Sequence, residues 1–248
     1  MARGAALVTG ASRRIGRAIA LKLASAGFDI AVHYRSDPDR AQALVGEIQA
    51  LGRQAAALAA DLTDEAAARR LVSDAAKVFG PLTVLVNNAS VFEDDRAGHL
   101  GRQTWDRHFD TNLRAPLVLA EAFAAQAGEG ACIVNLLDQR VWKPTPQFFS
   151  YALSKSALWT ATRMLAQAWA PKVRVNGVGP GPTAASIHQT QATFAAEAKG
   201  TLLGHAVEPD EIAQAVLYLV DAPSVTGQMI AVDSGQHLGW QTPDILEP

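Results

Sequence analysis

Short runs that are apolar at almost every position alternate along this chain with longer stretches of helical spacing, and this alternation restricts the fold more tightly than any other feature. Residues 5–9 form the first run, and a helical stretch over 14–26 follows a glycine. Residues 29–34 form the second, after which Pro38 opens a helix that Gly52 closes. A weaker run spans 54–60, and Asp61-Leu62-Thr63-Asp64 turns into a helix to Phe79, with Thr63 expected as its cap. Gly80-Pro81 breaks that helix. Further runs cover 83–86, 131–136, 173–178 and 229–232, with helical stretches over 104–127, 150–170 and 208–221 between them. Strands that are apolar on both sides need cover on both faces, the environment of a parallel sheet. The regular strand–helix alternation asks for the same arrangement. The expected fold class is α/β: a single-domain Rossmann doubly wound parallel sheet of about seven strands, with helices on both faces. Residues 1–248 read as one domain. Ligands of such sheets bind in the crevice beyond the C-terminal strand ends.

Composition removes other classes. With 22 Lys+Arg against 24 Asp+Glu the formal charge is −2, which offers nucleic acid no basic face. Hydrophobic residues at 49% and charged residues at 19% suit a packed core and not a disordered segment. Cys132 is the one cysteine, which leaves neither a disulfide framework nor a cysteine-based zinc site. A reducing, cytoplasmic setting is expected. No apolar stretch reaches the roughly 18 residues of a membrane span. Met1-Ala2-Arg3-Gly4 runs straight into the first strand, and no signal peptide is expected. The sequence has no Pro/Ser-rich linker, charge run or internal repeat.

The first strand ends in Thr9-Gly10-Ala11-Ser12-Arg13-Arg14-Ile15-Gly16. Gly10 permits the sharp turn, and Gly16 lets the next helix lie close to the sheet, so the free N–H groups at the helix start face a pyrophosphate. Paired glycines also punctuate plain turns; the place after a strand and before a helix makes this one a dinucleotide site, with Ser12, Arg13, Arg14 and Ile15 among its contacts. Arg14 stands where a small residue would fit most easily. Its guanidinium can serve the pyrophosphate or an anionic or carbonyl group of a substrate; the plain alternative is a solvated arginine opposing the helix dipole. The second strand ends in Val32-His33-Tyr34-Arg35-Ser36. An acid here would hold the 2′-hydroxyl of NAD(H). Asp37 comes late for that, and Arg35-Ser36 suit a 2′-phosphate, so NADP(H) is expected over NAD(H).

Tyr151 and Lys155 lie four residues apart, hence on one helical face. A free tyrosine titrates near pH ~10, and an adjacent ammonium favours the phenolate. Such a pair makes a proton donor for a group that receives hydride. The spacing alone is common; behind a nucleotide loop and a buried strand it becomes specific.

At this point the sequence resembles the short-chain dehydrogenase/reductase family over nearly its whole length. The resemblance is carried by Thr9-Gly10 to Gly16, Asp61-Leu62, Asn87-Asn88-Ala89, Asn112, Tyr151 with Lys155, Pro180-Gly181, Thr226-Gly227 and Asp233-Ser234-Gly235. It implies that Tyr151 is the catalytic acid, that Lys155 holds the nicotinamide ribose and lowers the tyrosine pKa, and that Asn112 anchors a water relay. It implies Asp61 beside the adenine, with Leu62, Asn87, Asn88, Ala89 and Ser90 along the cofactor. Thr183, after Pro180-Gly181, is expected at the carboxamide, followed by a substrate-loop region over about 183–204. A homotetramer is expected as well.

One position departs from the family pattern. Asp138, thirteen residues before Tyr151, stands where the family carries a carbonyl-polarising serine. A carboxylate is a poor partner for a carbonyl oxygen and a good one for the N–H groups of a heterocycle; protonated, it can deliver a proton to a ring nitrogen. That points to C=N rather than C=O. The exchange is similar to the pteridine reductase branch, which also has an Arg-rich loop (Arg13-Arg14), His33-Tyr34-Arg35-Ser36 and Asn87-Asn88-Ala89-Ser90-Val91-Phe92. The branch implies that Phe92 stacks a pterin against the nicotinamide, that Ser90 and Arg14 hydrogen-bond it, and that Asp138 and Tyr151 complete the substrate site. The implied reaction is NADPH-dependent reduction of a dihydropterin or dihydrofolate, dihydromonapterin among them. A first alternative is an NADPH-dependent carbonyl or 3-oxoacyl reductase in which Asp138 stands in for the serine. A second, of another class, is a dinucleotide-binding sensor without turnover, against which the intact Tyr151, Lys155 and Asn112 argue.

The remaining polar residues read plainly. His99, His108, His188, His205 and His237 have no metal-ligand spacing, and no metal is expected. Glu93-Asp94-Asp95 reads as a solvated loop and Cys132 as a buried small hydrophobe. The helix after Tyr151 carries Leu153, Leu158, Trp159, Met164, Leu165 and Trp169 around its circumference, which predicts a subunit interface. The tail 236–248 is expected either to reach a neighbouring subunit or to fray.

Overall fold

The computed structural model describes residues 3–185 and 189–240. Strands β1 (Ala5–Val8), β2 (Asp29–Tyr34), β3 (Ala55–Ala59), β4 (Val84–Asn87), β5 (Ala131–Leu136), β6 (Val173–Pro180) and β7 (Met229–Val232) form one sheet in the order β3-β2-β1-β4-β5-β6-β7. Every neighbouring pair is parallel. The direction of winding reverses between β1 and β4, which opens a crevice at their C-terminal ends.

Period-two alternation divides the core. Ala6 and Val8 of β1, Ile30 and Val32 of β2 and Val84 and Val86 of β4 pack under α1 (Arg14–Ser25), α2 (Pro38–Ala50) and α8 (Pro209–Asp221). Ala5, Leu7, Ala31 and Leu85 point the other way, under α3 (Glu65–Phe79), α5 (Ala115–Gln126) and the far half of α6 (Phe149–Trp169). The strands lack polar alternation because both of their faces are covered.

Three local features differ from the sequence expectations. Asp64, not Thr63, caps α3, accepting from Ala66 N and Ala67 N at 2.9 and 3.1 Å. Thr63 turns back and donates through its N–H and hydroxyl to Asp61. The long helical stretch is broken: α4 (Arg102–Phe109) passes through a π-helical turn, Asp110–Arg114, into α5. A further helix, α7 (Gln191–Lys199), lies in the expected substrate loop, capped by Thr190. His188 and the tail 241–248 lie outside the described residues. Among those described, no helix is long and apolar enough to cross a membrane.

Candidate active site

The turn after β1 is held from several sides. Gly10 has φ +61°, and a Cβ there would lie 3.1 Å from Ala89 Cα. Gly16 has no room at all: a Cβ would overlap the Gly10 carbonyl oxygen and stand 2.6 Å from Asn88 Nδ2. Asn88 braces the turn by donating to Thr9 O at 2.8 Å and Gly10 O at 3.1 Å. Arg14 is strained at φ +46°, a region favouring glycine, in line with the expectation that a small residue would sit there most easily. Arg13, the residue before α1, offers no side-chain cap, and the first turn has no acid, so the helix start is open to an anion.

This turn borders a cleft of about 370 Å³ lined by Gly10, Ser12, Arg13, Arg14, Ile15, Gly16, His33, Tyr34, Arg35, Ser36, Asp61, Leu62, Asn88, Ala89 and Ser90. The expected cofactor residues at this end are therefore brought together. His33 is more brace than contact. Its Nδ1 accepts from Gly10 N at 3.0 Å and its Nε2–H donates to Ala60 O at 3.1 Å, and burial lowers its pKa. Asp61 is held below the usual carboxylate range by the Thr63 N–H and hydroxyl. Asn87 does not line this cleft, contrary to the expectation: it is buried and donates to Asn135 Oδ1 at 2.9 Å.

Arg14, Ile15, Asn88 and Ser90 also line a second cleft of about 800 Å³. Phe92, Asp138, Tyr151, Lys155, Pro180, Gly181 and Thr183 line it too, so the residues expected at the substrate, the proton transfer and the carboxamide share one space with those of the glycine turn. Arg14 Nη2 reaches across to Ala185 O at 3.2 Å. Asn112, in the π-helical turn, stands behind the wall: it accepts from Val91 N at 2.8 Å and Ser90 Oγ at 3.1 Å, and donates to Val91 O and Ser154 Oγ.

At the cleft floor the Tyr151 hydroxyl donates to Asp138 Oδ2 at 2.9 Å. Asp138 also accepts the Arg140 backbone N–H at 2.8 Å and pairs with its guanidinium at 3.4 Å. Lys155 is turned differently from the sequence picture. Its Nζ donates to Leu136 O at 2.7 Å and lies 5.8 Å from the Tyr151 ring centroid. Burial, and behind it the charge and hydrogen bond of Asp138, push the tyrosine well above its ordinary pKa, with Arg140 and Ser90 opposing. The expected acidified phenol is corrected here, because the charge closest to the hydroxyl is a carboxylate that holds the proton on. Burial brings Lys155 down to about 8, with Asp138 acting the other way.

Several participants escaped the sequence. Phe148, with φ +52°, stacks on Phe92 at 4.2 Å between centroids, and Tyr151 meets Phe92 edge-on at 4.7 Å. Arg140 lies 5.8 Å above the Phe92 ring. Glu197 of α7 enters the wide cleft, held by Gln189 at 2.6 Å and Gln236 at 2.9 Å. Asp95 is buried and bonded to Ser150, which corrects the solvated reading for that residue, while Asp94 is exposed. Of these, only Arg140 carried a signal, being two residues from the departing Asp138.

A family model described as enoyl-(acyl carrier protein) reductase matches residues 10–237. The short-chain dehydrogenase/reductase FrzI of Cladobotryum sp is 35% identical over 248 residues, covering 93% of this chain and 95% of that protein. The 3-oxoacyl-[acyl-carrier-protein] reductase FabG of Staphylococcus aureus is 32% identical over 240 residues, covering 94% and 98%. FolM alternative dihydrofolate reductase 1 from Brucella canis, solved in complex with NADP, superposes with a TM-score of 0.95 at 46% identity, covering 99% of this chain and 98% of that one. The chain belongs to the short-chain dehydrogenase/reductase family, whose members are oxidoreductases.

Proposed function

We propose that this family member is an NADPH-dependent reductase of a pterin-like C=N bond, in a dihydropterin or dihydrofolate. The observation that carries the reading is the 2.9 Å bond from Tyr151 to Asp138 in a cleft walled by Phe92 and continuous with the glycine turn. The 46% identity to an NADP-bound alternative dihydrofolate reductase supports it.

The residues fit NADPH. The turn at Gly10 and the open start of α1 would receive the pyrophosphate, and Arg35 with Ser36 the 2′-phosphate. Asp61 would meet the adenine, and Lys155 the nicotinamide ribose. The chemistry supplied by NADPH, when bound, is hydride donation. Phe92, stacked with Phe148, gives the cleft an aromatic wall suited to a planar heterocycle. Asp138 offers an acceptor to ring N–H groups, and Ser90 and Arg14 offer donors. Tyr151 keeps its proton until a strongly basic acceptor stands beside it, as a ring nitrogen does once its carbon has received hydride. The proton then goes to nitrogen, C=N becomes CH–NH, and the phenolate left behind faces Lys155.

Kinship with a 3-oxoacyl reductase keeps a carbonyl substrate as the competing reading, and Asp138 speaks against it because a carboxylate repels a carbonyl oxygen. The test is NADPH oxidation with dihydrobiopterin, dihydromonapterin and dihydrofolate beside acetoacetyl thioesters. Turnover of a dihydropterin that falls at least ~100-fold in Tyr151→Phe is the expected result. Preference for the thioester would overturn the pterin reading, and rates indifferent to Tyr151 would favour a sensor.

A further inference from the structure

Directly behind Tyr151 lies a polar chain that none of these roles uses. His108 on α4, Ser150 in the first turn of α6 and Asp95 in the loop after β4 are all buried. The backbone N–H of Glu93 donates to His108 Nε2 at 3.0 Å. A backbone amide can only donate, so Nε2 is bare and the imidazole carries its proton on Nδ1. Nδ1 lies 2.6 Å from Ser150 Oγ. The hydroxyl, having accepted that N–H, donates onward to Asp95 Oδ2. Asp95 also accepts the Ser150 backbone N–H at 3.1 Å and its carbonyl accepts from Phe149 N at 3.2 Å, so it caps the start of α6. A Ser–His pair elsewhere serves as a nucleophile and its base, but here the proton runs from imidazole to serine. Ser150 is fully enclosed, so its oxygen has neither a base nor a path to substrate.

Two parts of the site hang on this chain. The loop following β4 carries Ser90 and Phe92, and Ser150 directly precedes Tyr151. Asn112 fastens the loop at Val91 and His108 fastens it again at Glu93. The His108 ring meets the Tyr151 ring edge-on at 5.9 Å. We propose that His108, acting through Ser150 and Asp95, is a positioning residue that locks the Phe92 wall to the helix start bearing Tyr151, and that it does so only as the neutral imidazole. A proton on Nε2 would set a second N–H against that of Glu93 and cut the chain there. Burial lowers the pKa of His108; Asp95 and Glu93 favour the proton, Arg107 and Lys155 oppose it. The lock therefore holds at neutral pH and opens as pH falls through that lowered value.

The effect on turnover rests on the pterin reading, and the effect on the loop does not. Hydrogen exchange on the full chain with NADP⁺ added tests the loop. In His108→Ala and Ser150→Ala, amides of 93–96 and 149–152 are expected to exchange about tenfold faster at neutral pH, with the sheet unchanged. Corrected for intrinsic rates, wild type should show the same change when a pH series is carried down through the lowered His108 value. His108→Gln, whose amide oxygen can accept from Glu93 and does not titrate, should not. In kinetics, KM for a dihydropterin should rise about tenfold in Ser150→Ala while KM for NADPH stays within about twofold. Should the alanine variants fail to fold, Asp95→Asn, which keeps an amide oxygen near Ser150, should give the same pattern at about two- to fivefold. Unchanged loop exchange in the folded variants, or an acid effect that persists in His108→Gln, would overturn the proposal. Loop exchange as expected without turnover of any dihydropterin would uphold the lock and remove the pterin reading.

Discussion

Arg35 and Lys155 illustrate how one side chain can govern a measurable constant. Arg35→Ala removes the cation nearest the expected 2′-phosphate, and KM for NADPH should rise by about 10- to 100-fold while KM for NADH changes little. Paired titrations with the two coenzymes check this. Lys155 has its folded pKa lowered from 10.5 to about 8 by burial. Its charge is therefore present below that value and lost above it, so kcat/KM for NADPH, which reports the free enzyme, should fall as pH rises through about 8. Lys155→Arg should carry that alkaline limb out of the measurable range. The same shift favours the folded state increasingly as pH rises from about 8 towards 10.5, because the unfolded chain still holds the proton there. Much of the residue scale was legible in the sequence, since a glycine turn, a Tyr–Lys pair and a displaced acid keep their spacing without any structure. Phe148 was not, and Arg140 was marked only by its nearness to Asp138, because the contacts of both depend on side chains that meet through the fold. Asp95 reads as solvated beside Glu93 and Asp94 until α6 is seen to begin on its carboxylate.

Elements were legible in kind and less so at their ends. The strands appeared as apolar runs because a covered parallel sheet demands them. The π-helical turn at Asp110–Arg114 stayed hidden because its residues, Asp-Thr-Asn-Leu-Arg, include no Gly or Pro to mark a break, and only the backbone reveals the wider turn that directs Asn112 to Val91. α7 was missed because no apolar stripe marks it; Thr190 starts it and Glu197 ties it to Gln236. The cap of α3 shows how one residue decides a boundary. Asp64→Ala should cost about 1 kcal/mol in denaturant unfolding, and Thr63→Ala less, since Thr63 serves Asp61 instead. At the start of α1, Gly16→Ala would force the helix away from the Gly10 carbonyl. Stability should fall by about 1–3 kcal/mol, with NADPH binding weakened as the turn opens.

For the whole molecule the doubly wound order was legible, because alternation and connection rules leave few other ways to cover such strands. Assembly was legible only as an expectation. α6 buries Tyr151, Lys155, Leu158 and Thr162, yet leaves Met164 62% and Leu153 39% exposed. Those apolar side chains on a long helix support the homotetramer as a proposal. Light scattering should give a mass above that of one chain, and Met164→Glu should lower it; a wild-type monomer at working concentration would refute assembly. The proposed reduction of a pterin-like C=N bond rests on Asp138 beside Tyr151. Its most direct test is the ratio of kcat/KM for dihydrobiopterin to that for an acetoacetyl thioester, measured with NADPH in wild type and in Asp138→Ser. The account predicts a ratio well above one in wild type that falls by about 10- to 100-fold in the variant. A ratio below one in wild type, or one that Asp138→Ser leaves unchanged, would contradict it.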